Sequence, residues 1–347
     1  MTEIESEDTL IITQNKKEKD TSIAIKDLEA LTEQVASSIP KESPLPWKCT
    51  IFRVPLVLRR HDENAYVPYI VSIGAIHHGK ESLKDMESNK RWYLGALLSR
   101  LQQSQVSLES LIKSTTELEE SARAYEGLRN REDPIFNTSW MIPTLGHDLM
   151  LLENQLPWLV LDHLFQLTKV SDGQLEQPSL AELAVRFFGF MMPMTVEAKP
   201  NHPESNKHLL DLLRNRLVAT STQPSFPAPD TKLELIPCAT SLLDAGVKFK
   251  MSTADNILEL KFNDGVMEIP PLRIHEITGS VFRNIIAYEQ CDSQCTDRVT
   301  SYAVLLSRLI NSSKDVDLLC RAKILDNWLN PEDVSLLFYR LYNDAGV

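Results

Sequence analysis

"LGHDLMLLENQLPWLVLDHLFQL", Leu145 to Leu167, is the most hydrophobic stretch of this 347-residue chain, and how it is read decides the fold. An unbroken run of this length would span a bilayer, but Glu153-Asn154-Gln155 and Pro157 divide it into pieces too short for the roughly 18 apolar residues a membrane helix needs. The pattern predicts two helices and a polar helix junction of Glu153, Asn154, Gln155 and Pro157 between them. Asn154 is expected to cap the second helix, with Pro157 in its first turn, where a missing N–H costs little. A carboxylate set among amides in an apolar run also has the makings of a tuned acid or base.

Outward from this junction the same helical period recurs. Leu83, Met86, Lys90, Tyr93, Leu97 and Leu101 define one face, and Leu108, Leu111, Leu118, Ala122 and Tyr125 continue it past a polar break. Further helices are expected at 179–190, 208–218, 276–289, 297–310 and 316–325, and Asn330-Pro331-Glu332-Asp333 reads as a capped helix start. Toward the N-terminus, 1–21 reads as a disordered acidic tail, and a helix runs from Ser22 to a stop at Pro40. "CTIFRVPLVL" is expected to be extended and punctuated by Pro55. The period changes only once: "ILELKFNDGVMEIP" predicts two strands joined by a turn at Asn263-Asp264-Gly265. The fold class is therefore mainly α, a multi-helix globular domain over 22–347 with a small antiparallel hairpin or sheet in its C-terminal half. The Pro-rich stretch near 220–232 is a possible point of subdivision.

Composition narrows the function. With 43% hydrophobic and 24% charged residues and a mean hydropathy of −0.20, the chain is of ordinary globular type. A net charge of −12 argues against nucleic acid, which is bound through clustered Lys and Arg. Five scattered cysteines, including Cys291 and Cys295 at a spacing unlike a zinc knuckle or redox pair, fit free thiols in a reducing compartment. No signal peptide is visible, and the location expected from the residues is cytoplasmic or peripheral to a membrane.

"VSIGAIHHGK", Val71 to Lys80, is the other stretch that invites a chemical reading. His77 and His78 are adjacent, so their side chains diverge, and no third ligand stands nearby; no metal site follows. Gly79 and Lys80 open the next helix and form a candidate anion-binding turn. The plainer alternative is a bend eased by Gly74 and Gly79, in which the histidines hydrogen-bond and cap the turn. His147-Asp148 and Asp162-His163 resemble fragments of a metal phosphohydrolase site, but a solvated face accounts for them as well. There is no nucleophile elbow, P-loop or dinucleotide fingerprint, so neither a catalytic residue nor a cofactor is assigned.

Several segments together resemble the plant-specific family called domain of unknown function 247, or uncharacterised protein family 0481. They are "IFRVPLVLR" (Ile51 to Arg59), "AYVPYIVSIGAIHHGK" (Ala65 to Lys80), "DLMLLENQLPWLVL" (Asp148 to Leu161), "HLLDLLR" (His208 to Arg214), "AGVKFK" (Ala245 to Lys250), "GVMEIPPL" (Gly265 to Leu272), "RNIIAYEQC" (Arg283 to Cys291) and "KDVDLL" (Lys314 to Leu319), in the family's order. The resemblance implies a land-plant protein without known enzymatic activity, from a family commonly tethered by a C-terminal membrane helix. Some grass relatives are linked to pollen and stigma self-recognition. Three departures stand out. Ala75 replaces a usual proline, the stretch between Tyr125 and Asp133 is shorter than in relatives, and Val347 ends the sequence before the expected membrane helix. The expectation is a non-enzymatic interaction or recognition module in signalling with a protein partner. The alternatives are an enzyme acting on an anionic substrate through the His77/His78/Lys80 turn with Glu153, and a degenerate member with an internal deletion. Convergence of those groups on one pocket would favour the enzyme.

Overall fold

The computed structural model describes residues 51–101, 135, 138–168, 178–189, 191–192, 206–218, 236–254 and 256–344. The expected acidic tail, the Ser22 helix, the continuation through 108–125 and the Pro-rich stretch near 220–232 lie outside the described residues. Within them the chain is mainly helical with a small β component. The helices are α1 (Leu56–Arg59), α2 (Lys84–Leu101), α3 (Met141–Leu149), α4 (Trp158–Thr168), α5 (Leu180–Phe188), α6 (Leu209–Val218), α7 (Ala239–Asp244), α8 (Thr278–Cys291), α9 (Arg298–Leu309), α10 (Ser313–Arg321) and α11 (Pro331–Asp344).

α8 is the hub of the core. It packs against α6, α9 and α11 and against the short turns at Glu63–Tyr66 and Leu152–Asn154. Val281, Phe282, Ile285, Ile286, Ala287 and Tyr288 are all buried, so apolar side chains surround it on every side, as a fully enclosed helix requires. Its buried polar residues are each tied. Glu289 accepts from Arg214 Nε at 2.9 Å, from the Thr300 N–H at 2.8 Å and from the Thr300 hydroxyl at 2.8 Å. Asn284 donates to the Ala65 carbonyl and accepts from the Leu152 N–H, both at 2.8 Å. In α11, Val334, Phe338 and Leu341 recur at helical spacing and are fully buried, while the Asn330 backbone carbonyl accepts the Val334 N–H at 3.1 Å and Glu332 and Asp333 occupy the positive end.

The expected hairpin is present between β2 (Lys261–Asn263) and β3 (Val266–Ile269), with Phe262 opposite Met267. Asp264 and Gly265 both have positive φ, 49° and 74°, which is the turn whose twist suits a two-residue hairpin. β1 (Lys248–Met251) adds to β3 in parallel, giving a mixed sheet of order β1-β3-β2. A second, parallel pair joins β4 (Leu272–Ile274) to β5 (Leu325–Asn327).

Three local expectations give way. "ILEL", expected in the first hairpin strand, is a turn instead. The Asn256 side chain accepts the Leu258 N–H at 2.8 Å and its carbonyl accepts the Glu259 N–H, an alternative to a strand ladder. The helix expected through 325 stops at Arg321. Lys323 takes φ of 59° and the Ile324 N–H returns to the Leu319 carbonyl, which frees Leu325 to pair with Leu272. Finally, "LVLR" after Pro55 is one helical turn rather than extended chain. Pro55 occupies the position before the turn, and its carbonyl accepts the Leu58 N–H at 3.0 Å.

Candidate functional site

The approach to the His-His turn pairs with no strand among the described residues, yet its backbone is ordered, because side chains replace the missing ladder. Asp148, at the end of α3, accepts the N–H groups of Tyr69 (2.8 Å), Ile70 (2.7 Å) and Val71 (2.9 Å). Asn154 accepts those of Ile73 (2.7 Å) and Gly74 (3.1 Å), and donates to the Val71 and Asp148 carbonyls. Asn154 is therefore not the cap of α4: its amide is spent on a segment some 80 residues earlier in the chain. Pro157 does stand at the start of α4, where its carbonyl accepts the Val160 N–H, and the Trp158 N–H is taken by the Lys207 carbonyl. Gln155 donates to the Leu149 and Leu151 carbonyls and accepts from the Leu210 N–H, joining α3 to α6. A Cβ on Gly74 would lie 2.9 Å from the Gln155 carbonyl oxygen, so this close crossing needs glycine.

Past Ile76 the chain turns, with Gly79 at φ 79°, into a single 3₁₀ turn at Glu81–Leu83 and then α2. His77 points inward, 2% exposed, whereas His78, Gly79 and Lys80 are exposed. The histidines do not cap the turn, which closes instead through the Lys80 N–H and the His77 carbonyl. His77 runs to Glu153. Its Nε2 lies 3.2 Å from Oε2 of that carboxylate, an ion-pair distance, though neither ring nitrogen has an aligned hydrogen bond. The other carboxylate oxygen accepts Arg59 Nη1 at 2.6 Å and the Val54 N–H at 2.9 Å. Burial works against the charge on Glu153, but the neighbouring His77, Val54 N–H and Arg59 outweigh it and hold the carboxyl below its ordinary value. Arg59 also lies over the Tyr66 ring, 5.6 Å from its centroid.

These groups meet at a cavity of about 530 Å³ lined by Arg53, Val54, Pro55, Leu56, Arg59, Glu63, Val67, Ile76, His77, Lys80 and Glu153. His77, Lys80 and Glu153 thus converge on one opening, while His78, Asn154, Gln155 and Pro157 do not line it. Arg53, Arg59 and Glu63 were missed by local reading. The cations of "RVPLVLRR" are visible in the sequence, but nothing local signals that Arg59 pairs with a carboxylate 94 positions later.

The other candidates are resolved as structure. His147 and Asp148 are buried, at 3% and 0%, not on a solvated face. Besides clamping 69–71, Asp148 lies 3.2 Å from His147 Nδ1, and His147 Nε2 is 2.9 Å from the Ser280 hydroxyl, which also reaches the Ala65 carbonyl. Asp162 and His163 lie on α4, where Asp162 accepts Gln166 Nε2 at 3.2 Å. Cys238, Cys291, Cys295 and Cys320 are free, and burial pushes the Cys291 thiol up to about 11. Among the described residues no group of three or more His, Cys, Asp and Glu side chains is arranged to hold a metal, and no helix is long and apolar enough to cross a membrane.

Comparison with known proteins places this scaffold. A family model described as "Plant protein of unknown function", the domain of unknown function 247, matches residues 51–129 and 124–347. The chain belongs to this family. The two matched segments overlap at 124–129. The UPF0481 protein At3g47200 of Arabidopsis thaliana is 27% identical over 353 aligned positions, covering 86% of this chain and 73% of that relative. A second Arabidopsis thaliana protein of the same name class, At3g02645, is 34% identical over 92 residues, 26% of this chain and 17% of its own length. No solved structure matches. In this family member, the segments that carry the kinship include the ones that build the cavity: "IFRVPLVLR" supplies its rim, "AIHHGK" its turn and "LLENQLP" its inner carboxylate.

Proposed function

We propose that this domain of unknown function 247 protein is a non-enzymatic recognition module in plant signalling, binding a protein partner. The observation that carries the reading is the state of the cavity's inner carboxylate. Glu153 is already engaged by Arg59, the Val54 N–H and His77 and is held in its charged form, which makes it a scaffold for the wall and a poor proton donor or acceptor near neutral pH. Around it stand Val54, Pro55, Leu56, Val67 and Ile76, side chains that hold a ligand by shape and apolar contact. The self-recognition role of some grass relatives belongs to the same class of function.

The convergence of His77, Lys80 and Glu153 supports a second reading, an enzyme acting on an anionic substrate, with His77 as the group that moves a proton. Proximity labelling and affinity capture from plant tissue separate the two when the native chain is compared with R53E/K80E, which reverses two exposed charges at the cavity mouth. A recognition module yields a reproducible partner that the variant loses. Failure to capture any reproducible partner, or capture that ignores the variant, would overturn recognition through this cavity.

A further inference from the structure

We infer that the cavity at Glu153 is a site for a small organic oxyanion, a carboxylate or phosphate group carried on an apolar body, which Arg53 and Lys80 bind at the mouth. This rests on the reading of the cavity as a binding site and adds the chemistry of what it binds. The first support is charge. Arg59 and Glu153 neutralise each other at 2.6 Å, leaving Arg53 and Lys80 against Glu63, a positive surplus in a chain of net charge −12. Neither Arg53 nor Lys80 has an ion-pair partner among the described residues, and both side chains are exposed. Two cations of unequal reach at one opening favour a compact anion over a zwitterion or a base.

The second support is independent of the first. His77 is 2% exposed, lines the cavity and has no aligned hydrogen bond at either ring nitrogen, and the Arg59 Nε–H is buried without an acceptor. Buried polar groups of native proteins are normally satisfied, so two such groups on one wall mark a place where an acceptor belongs. An anion seated between Arg53 and Lys80 brings acceptor oxygens to the cavity that His77 and Arg59 line. The third is shape: about 530 Å³ falls in the range of roughly 300–1,000 Å³ typical of small-molecule sites, and Pro55, Leu56, Val67 and Ile76 offer an apolar wall to the rest of the ligand. A bare inorganic ion would leave that wall unused.

The test is calorimetric titration of the purified full chain with phenylacetate, phenyl phosphate, inorganic phosphate and the neutral isostere phenylacetamide. The variants are R53Q/K80Q and, as a remote exposed control, K248Q. Either aromatic oxyanion should bind at least tenfold more tightly than phenylacetamide and than inorganic phosphate, should weaken with added salt, and should lose at least tenfold in R53Q/K80Q but not in K248Q. Preference for phenylacetate or for phenyl phosphate assigns the source of the anion. Binding of phenylacetamide equal to that of the oxyanions, binding unaffected by R53Q/K80Q, or no binding of any probe would overturn the inference. If partner capture survives that outcome, the recognition reading stands without it. Release of phenol or another product from a bound probe would uphold the oxyanion site and overturn the non-enzymatic reading.

Discussion

Two regions of this protein are ordered by opposite means. From α8 to α11 the backbone satisfies itself through helices and the β4–β5 pair, and stability comes from buried apolar side chains such as Ile285, Leu306, Leu319 and Phe338. From Val54 to Gly74 the chain is mostly irregular, and six of its N–H groups, those of Val54, Tyr69, Ile70, Val71, Ile73 and Gly74, are satisfied by three side chains of two short stretches, Asp148, Glu153 and Asn154. The first region spreads its stability over many interchangeable contacts; the second concentrates it in a few polar atoms. The lesson is that the cavity, which sits in the second region, depends on Asp148 and Asn154, which do not line it.

Asp148→Ala should break this contrast most sharply. It leaves three backbone N–H groups without acceptors, one buried and two part-buried, and at about 1–3 kcal/mol for each buried group a combined loss of about 3 kcal/mol is expected. Hydrogen exchange should show lost protection at 69–71 and through the cavity turn before α8–α11 open; uniform loss across both regions would show that the two are one cooperative unit. Ile285→Ala, at the centre of α8, should cost about 2–5 kcal/mol and lower protection everywhere, because the core it weakens supports both regions. Its melting transition should stay single.

The smallest effect is one of acid. The Glu153 carboxyl lies below its ordinary value of 4.5 in the folded protein, so its contribution to stability is fully present above that pH and is lost as pH falls through the depressed folded value. Asp211 has the opposite sign: burial raises it, so it favours the folded state more as pH falls. Opening of the 54–80 region should therefore rise at acid pH in the native chain, and Glu153→Gln should flatten that limb while opening the region somewhat at neutral pH. A variant with an unchanged acid limb would show that Glu153 is not the group that titrates.

Much of the fold was legible because its signals are local. The helix expected from 179, which the structure starts with a capping box of Ser179 and Glu182, the Asn330-Pro331 start and the Asn263-Asp264-Gly265 turn each act within a few residues. The mainly helical class with a minor β element follows from the same kind of evidence. What was not legible is where a polar side chain spends its hydrogen bonds. Asn154 has the residue type and position of a helix cap, and only the approach of the 71–74 backbone turns it into a clamp. Asn256 likewise diverts a stretch with strand alternation into a turn.

The candidate site divides in the same way. The sequence by itself marked His77, Lys80 and Glu153 as chemically eligible, and identified the chain's kinship through the segments that hold them. That they share one cavity, that Arg53 and Arg59 stand with them and that His78 does not, was decided only by the tertiary structure. The reason is physical: helix and turn propensities act over a few residues, whereas an ion pair such as Arg59 with Glu153 spans 94 positions and exists only after the core has brought both ends together.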